Sequence, residues 1–138
     1  MDRLERLSLS LDRSLLRRLV VRQHAAGYRN RSEFVRDLIR DHLVKAQWAA
    51  DAEVVGAITM VYNHEARQLQ EKLTKTQHHH HGLVLATTHL HLDETHCLEV
   101  IMVRGRAHEV QHLCDHLRQQ KGVLHAALTM SASGAALE

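Results

Sequence analysis

Residues 6–11 alternate strictly between polar side chains and leucine, which is the pattern of a β-strand with one buried face. A strand this short is not stable alone and needs a hydrogen-bonded partner. No hairpin partner follows it, because Asp12 is typical of a helix N-cap and the apolar residues then recur at helical spacing. The simplest partner is the same strand of a second copy, paired antiparallel about a two-fold axis. The chain is therefore predicted to dimerise through this strand.

Two helices are predicted after the strand. The first runs to about Ala26 and ends at Gly27, a residue that readily takes a positive φ. The segment Asn30–Glu33 has the sequence of a capping box and opens a second helix, which runs to about Trp48. A strand followed by two helices, with the strand paired to its symmetry mate, is a dimerising ribbon-helix-helix unit. We assign it to residues 1–48.

The charge of the chain is divided unevenly. Residues 1–48 hold eleven Lys or Arg against six acids, a net charge of +5, whereas residues 49–138 hold seven against ten, a net charge of −3. A basic first third favours a polyanion as partner, although a solvated arginine-rich face would give the same balance. Arg6, Ser8 and Ser10 share the polar face of the strand, and a two-stranded ribbon fits the major groove. They are the predicted DNA-contacting residues.

The pattern changes after residues 49–53, which form a weak linker with neither Gly nor Pro. The order of elements beyond it is β-α-β-β-α-β, the ferredoxin-like arrangement that ACT domains share. The predicted strands span residues 53–62, 83–92, 97–103 and 123–130, and the predicted helices span residues 64–77 and 107–120. We assign residues 54–131 to this domain and residues 132–138 to a flexible tail. The predicted fold class is α+β.

Three candidate metal ligands follow one another in this second domain. His89 and His91 point to the same face of their strand, about 7 Å apart. Cys97 follows a short turn and can fold back beside them, and a thiolate with two imidazoles selects transition metals over Mg²⁺ and Ca²⁺. A fourth ligand could come from the histidine run at residues 78–81, in the same chain or in a partner, unless that run is a loop that binds metals loosely. On spacing alone, His96 is a rival to Cys97.

Over nearly its whole length, from residue 6 to 130, the sequence resembles the nickel-responsive repressor family, NikR. The histidine run, the His-x-His pair and the cysteine six residues later form the most specific part of the match. The matching stretches are Leu9–Asp12, Gly27–Glu33, Arg36–Asp37, Val61–Glu65, Thr76–His81, His89–His91, Cys97–Glu99 and Gly122–Val123.

The resemblance implies a homotetramer, a dimer of dimers in which a central ACT-domain core is flanked by two ribbon-helix-helix dimers. It also implies a square-planar site for Ni(II), with one ion per subunit, closed across a subunit interface. The ligands carried over to this sequence are His89, His91 and Cys97 from one chain and His78 from a neighbouring chain.

The resemblance extends to the acids of the second helix and to the first strand. Glu33 and Asp37 match acids that form a weaker cation site between the two domains of the family, where K⁺ is one occupant. Arg6, Ser8 and Ser10 fall on the base-reading positions of the strand. Since the family usually has Thr where the two serines stand, its operator sequence does not carry over.

The function implied is a nickel-dependent DNA-binding regulator that represses nickel uptake when Ni(II) is bound, acting on palindromic double-stranded operator DNA. The alternative is an ACT-type sensor of a small molecule or of another metal on the same DNA-binding arm. We expect no catalysis, because Glu99 is only a weak candidate for a general base beside the metal ligands. The sequence begins without the apolar core of a signal peptide and has no membrane-spanning run, and its two cysteines suit a reducing compartment. We therefore expect a cytoplasmic protein that does not associate with membranes.

Overall fold

The computed structural model describes residues 3–138 and divides into two compact units, one ending at Ile39 and one beginning at Arg40. Its elements are α1 (Arg13–Ala25), α2 (Arg31–Ala49), β1 (Glu53–Asn63), α3 (Leu69–His79), β2 (Val84–His91), β3 (His96–Arg106), α4 (Ala107–Arg118), β4 (Val123–Ser131) and a 3₁₀ turn (Gly134–Ala136). The expected tail, residues 132–138, contains this turn, and Ala132 is buried. Across the described part of the chain, none of the helices has the length and apolar character needed to span a membrane.

The strand expected at residues 6–11 is not formed within the single chain. Residues 3–12 have no regular secondary structure, and their side chains are exposed. Leu7 is 78% exposed and Leu9 is 60% exposed. A strand exists through hydrogen bonds to a neighbouring strand, so this segment needs a partner to become one. Pairing with a second copy stays a prediction.

The end of α1 confirms the expected role of Gly27. This residue has a φ of +81°, and its backbone N–H donates to the His24 carbonyl over 3.0 Å. The Tyr28 N–H donates to the Gln23 carbonyl over 3.1 Å. Together these bonds form a Schellman motif, in which two carbonyls of the last helical turn are satisfied.

The predicted capping is only partly correct. Asp12 occupies the N-cap position of α1, but its side chain makes no capping hydrogen bond. Before α2, the Asn30 side chain accepts a hydrogen bond of 2.8 Å from the Ser32 N–H. The second half of the expected capping box is wrong, because the Glu33 carboxylate pairs with the Arg36 guanidinium.

The second unit confirms the predicted β-α-β-β-α-β order. Its four antiparallel strands lie in the order β2-β3-β1-β4, which places β3 between the parallel pair β1 and β2. Alternate side chains of β1 and β3 pack against the apolar faces of α3 and α4 on one side of the sheet. The buried cluster contains Ile58, Met60, Tyr62, Leu69, Leu73, Cys97, Ile101, Val103, Val110, Leu113, Cys114, Leu117 and Ala126.

The helix expected at residues 64–77 begins later and ends later than predicted. The Asn63 side chain accepts a hydrogen bond of 2.8 Å from the Glu65 N–H, which starts a turn instead of a helix. Gln68 then has a φ of +61°, outside the right-handed helical region. The helix therefore begins at Leu69, and it carries the first histidines of the run in its last turn.

Asp51 both ends α2 and caps α4. Its φ is +52°, and the Ala52 N–H donates to the Gln47 carbonyl over 3.0 Å while the Asp51 N–H donates to Trp48 over 3.2 Å. This is a second Schellman motif. The Asp51 carboxylate then accepts a hydrogen bond of 2.8 Å from the His108 N–H in the first turn of α4.

Candidate metal centre

Three of the predicted ligands are brought together on the hairpin of β2 and β3. The register pairs His91 with Cys97 and His89 with Glu99. Directly paired residues of antiparallel strands project from the same face of the sheet, so all four side chains lie on the side of the helices. The Cys97 sulfur lies 3.3 Å from Nδ1 of His91. The rings of His89 and His91 have centroids 5.3 Å apart.

The turn between the two strands favours Cys97 over His96 as the third ligand. The Asp93 side chain accepts hydrogen bonds from the Thr95 N–H over 2.9 Å and from the His96 N–H over 2.8 Å. Its carboxylate also lies 2.9 Å from Nδ1 of His96. Hydrogen bonds to the carboxylate hold the pKa of Asp93 well below its usual range. The bond from the Thr95 amide has the largest effect, and the bond from the His96 side chain has the next largest. His96 is thus engaged by this carboxylate, and it projects from the face opposite to Cys97.

Two further aromatic side chains line this group, and neither was identified from the sequence. Tyr62 stacks on His89 with ring centroids 6.2 Å apart, and burial raises the pKa of this phenol to about 12. His64 meets the ring of His91 edge-on at 5.3 Å. Tyr62 pairs directly with Cys97 in the register of β1 and β3. Its position therefore follows from strand pairing, which a single sequence does not reveal.

The donor atoms fit a borderline transition metal. Two imidazoles and one thiol are brought into register, and such nitrogen and sulfur donors bind Ni²⁺, Cu²⁺ and Zn²⁺ in preference to oxygen-seeking cations. Cys97 is fully buried, and burial raises the pKa of its thiol. Since the thiolate is the ligand form, metal uptake would release this proton. Among residues 3–138, no three His, Cys, Asp or Glu side chains already form a metal-holding group.

His78 lies on a different element from the other three predicted ligands. It belongs to the last turn of α3 and lines an open groove of about 370 Å³ together with Thr87 and Glu99. Glu99 is 8% exposed and accepts a hydrogen bond of 2.9 Å from the Gln77 amide. The described part of one chain does not gather the four predicted ligands into one metal-holding group.

The histidine run at residues 78–81 is not a loose loop. Its first two residues are helical, and the last two form a turn. Nδ1 of His80 lies 2.9 Å from the Thr76 carbonyl, and Nδ1 of His81 lies 3.2 Å from the His78 carbonyl. These backbone contacts orient both rings.

The predicted DNA-contacting residues lie in the segment before α1. Arg6, Ser8 and Ser10 are exposed there, at alternate positions of the chain. Alternation gives them a common face once the segment is extended and paired.

The acids predicted to form a second cation site lie one turn apart on α2. The Tyr28 hydroxyl donates a hydrogen bond to the Asp37 carboxylate, and Glu33 pairs with Arg36. Each acid therefore already has a protein partner. A cation at this position would compete with that partner for the carboxylate, or share the carboxylate with it.

Two family models match the chain. Residues 55–131 match the model described as NikR C terminal nickel binding domain, and residues 5–46 match that of the ribbon-helix-helix proteins of the copG family. The first covers more than half of the chain. The predicted order, a ribbon-helix-helix unit followed by an ACT-like domain, is confirmed by these matches and by the sheet topology.

Curated relatives match over nearly the full length. A protein of Geotalea uraniireducens, named as a nickel-responsive regulator, is 46% identical over 94% of both chains. A protein of Solibacter usitatus with the same name is 45% identical over the whole of both. A solved structure of an uncharacterized protein from Thermotoga maritima is similar, with a TM-score of 0.52 at 13% identity, and it covers 56% of this chain and 96% of that one. This last match supports the fold alone.

Proposed function

The chain belongs to the NikR family of nickel-responsive transcriptional regulators, and from this premise we propose which residues bind nickel and how binding is passed to DNA. It is a nickel-dependent, DNA-binding regulator whose N-terminal unit is a ribbon-helix-helix. We propose that it represses genes of nickel uptake when Ni(II) is bound. Its role is regulatory and not catalytic, and Glu99 serves to anchor Gln77 beside His78.

The proposed nickel ligands are His89, His91 and Cys97 of one chain and the partner subunit's His78, with one ion per chain. The observation that carries this assignment is the contact of 3.3 Å between the Cys97 sulfur and the His91 ring, with His89 in the same register. Ni²⁺ and Cu²⁺ accept planar sets of nitrogen and sulfur, whereas Zn²⁺ prefers a tetrahedron. Selectivity for nickel then depends on the response that each metal produces as well as on affinity.

The proposed ligands join two kinds of element. His78 sits at the end of α3, whereas the other three sit on the hairpin of β2 and β3. Bound nickel would supply a cross-link between a helix of one subunit and the strands of another. A ligand shifts an equilibrium only when it binds one state better than the other. A coupling of about 1–3 kcal/mol would change DNA affinity roughly 5–150-fold.

We propose that the assembly is a homotetramer, with residues 1–48 pairing as ribbon-helix-helix dimers and residues 54–131 forming the core. Two paired ribbons call for a palindromic operator in double-stranded DNA, read by Arg6, Ser8 and Ser10 through the major groove. Support comes from the leucines of the first unit, which are exposed in the single chain and need a partner to bury them. The cytoplasm, where the DNA lies, is the proposed location.

Glu33 and Asp37 are proposed as a weaker site for K⁺ or another cation. They stand four residues apart on α2 and so share one face of the helix. Occupancy of this site would make DNA affinity depend on K⁺ beyond the general effect of ionic strength. DNA binding in KCl and in a sodium salt at equal ionic strength tests this.

The central test measures fluorescence anisotropy of DNA from upstream of the protein's own gene and of nearby transporter genes. Metal-free protein is compared with protein holding stoichiometric Ni²⁺, Cu²⁺ or Zn²⁺ at fixed salt, because phosphate contacts make affinity salt-dependent. We expect tight binding with Ni²⁺ and weak binding without metal. The His78→Ala variant should lose the nickel response. His79 is the exposed neighbour of His78, so His79→Ala is the control and should keep the response. Equal DNA affinity with and without metal would refute the proposal.

A further inference from the structure

Three histidines outside the proposed nickel site converge where the end of α3 meets α4. The ring centroids of His80 and His112 are 6.3 Å apart, and those of His80 and His116 are 6.4 Å apart. The rings of His112 and His116 are 6.2 Å apart. The three imidazoles thus form a nearly equilateral triangle.

Helical spacing explains why two of these rings are neighbours. His112 and His116 are four residues apart on α4 and so lie on one face, the spacing by which paired histidines on a helix grip one zinc ion. The adjacent Leu113 and Leu117 are fully buried and fix the rotation of α4 against the sheet. Both histidines are exposed, so their rings can turn without disturbing the core.

The third ring is oriented by a backbone contact. Nδ1 of His80 lies 2.9 Å from the carbonyl of Thr76, a buried residue of α3. A proton on Nδ1 would satisfy this carbonyl and leave Nε2 with a free lone pair. Metal-binding histidines are commonly held in this way by a second hydrogen bond to a carbonyl.

We propose that His80, His112 and His116 form a site for a first-row divalent cation such as Zn²⁺, with three imidazole ligands and solvent at the remaining position. Three imidazoles on one ion, at bonds of about 2.1 Å, have ring centroids roughly 5 Å apart. The described rings do not yet form a metal-holding group, and each pair must close by about 1 Å. Side-chain rotation of the two exposed rings supplies this movement.

Occupancy of the site would clip the end of α3 to α4. His80 follows His78 by two residues, so the clip would hold the helical turn that carries this proposed nickel ligand. This consequence rests on the proposed function, but the cation site itself does not.

The test uses the full-length chain loaded with nickel and dialysed against Zn²⁺, with both metals counted. We expect one further Zn²⁺ per chain, with a zinc K-edge X-ray absorption spectrum that shows imidazole scattering and no sulfur. The double variant His112→Gln/His116→Gln should lose this ion and keep its nickel. The matched control His125→Gln removes an exposed histidine of β4 and should keep both metals.

Three results would overturn the proposal: no additional zinc in the wild type, the same zinc in the double variant, or a sulfur shell around the zinc. The last would mean that zinc had entered the site of Cys97. Circular dichroism establishes that the double variant folds, and His80→Gln provides an independent removal of the third ligand. A protein that binds this zinc but no nickel would refute the proposed nickel ligands and leave the present site standing.

Discussion

Cys97 and Cys114 are both fully buried, and burial raises the pKa of both thiols, but their surroundings differ. The Cys97 sulfur contacts the His91 ring, whereas the Cys114 sulfur lies in the core with the Arg118 guanidinium 3.7 Å away. Cys97 thus contacts an imidazole, whereas the described contact of Cys114 is with a guanidinium. This contact supports Cys97, and not Cys114, as the proposed metal ligand.

We expect Cys97→Ser to weaken nickel binding strongly, because Cys97 is a proposed direct ligand. The loss should exceed roughly 10–100-fold, the cost of removing a residue that only hydrogen-bonds to a ligand. Cys114→Ser is the matched control. It should keep nickel affinity and lower the free energy of unfolding by about 1–3 kcal/mol, since a hydroxyl replaces an apolar thiol in the core. Equilibrium dialysis measures the first effect and urea denaturation the second. Comparable loss of nickel in both variants would mean that the effect comes from the core and not from coordination.

At the candidate site, some of the residues could be predicted from the sequence alone and others could not. His89 and His91 were predictable as a pair because side chains alternate with period two along a strand. The choice between His96 and Cys97 was not, because it depends on the turn in which Asp93 binds His96. Tyr62 was missed because cross-strand neighbours depend on register.

Among the elements, α2 and α4 are joined through Asp51. This residue has the positive φ that usually selects Gly or Asn, and its carboxylate binds the His108 N–H and, over 2.6 Å, Nδ1 of the same residue. Both bonds hold the pKa of Asp51 below its usual value of 3.8, and the bond from the His108 backbone has the larger effect. The folded chain therefore prefers the carboxylate to be ionised.

From this arrangement we expect Asp51→Asn to be the mildest substitution and Asp51→Ala the most damaging. Asn tolerates the positive φ and keeps an acceptor for α4, Gly keeps only the backbone conformation, and Ala keeps neither. Melting temperatures at neutral pH should therefore fall in the order Asn, Gly, Ala. An Asp51→Gly protein as stable as Asp51→Asn would show that the cap on α4 contributes no more than Gly gains over Asn at a positive φ.

The depressed pKa of Asp51 also fixes the direction of a pH effect. A carboxyl group whose pKa is lower in the folded state stabilises the fold at pH above its unfolded pKa, and this contribution is lost as the pH falls through the folded value. The wild type should thus lose stability in acid more steeply than Asp51→Asn, which lacks the titrating group.

Element boundaries were predictable where hydrophobic periodicity sets them and not where an unusual backbone conformation does. The strands of the second unit form where alternation predicts them, and β4 begins at Val123 as expected, but β3 runs to Arg106, three residues beyond its predicted end. Gln68 and Asp51 take positive φ without being Gly, so no turn signal marked the late start of α3 or the end of α2. A positive φ at a residue other than Gly has no turn signal in the local sequence.

At the scale of the whole molecule, the first unit exposes the leucines that its sequence pattern assigns to a core. Leu7, Leu9 and Leu11 are 78%, 60% and 40% exposed in the single chain. Burying a leucine fully is worth about 1.5–3 kcal/mol, so this row provides a strong reason to pair. Oligomerisation, which the ribbon-helix-helix family implies, was predictable because alternation shows which face must be covered.

Leu9→Lys tests this pairing in the intact protein. The lysine charge would be buried in the paired ribbon, so we expect the two copies of the first unit to separate. Operator affinity should then fall to the level of nonspecific binding. The added positive charge by itself favours DNA, so a loss of affinity cannot come from electrostatics. Nickel stoichiometry should not change, since the proposed ligands lie in the second unit. Chymotrypsin, for which the new lysine adds no cleavage site, should cleave faster before residue 40. Ser8→Ala on the opposite face is the control, and it should weaken operator binding without faster cleavage. If Leu9→Lys bound the operator as tightly as the wild type, the ribbon would not be the element that holds two copies together on DNA.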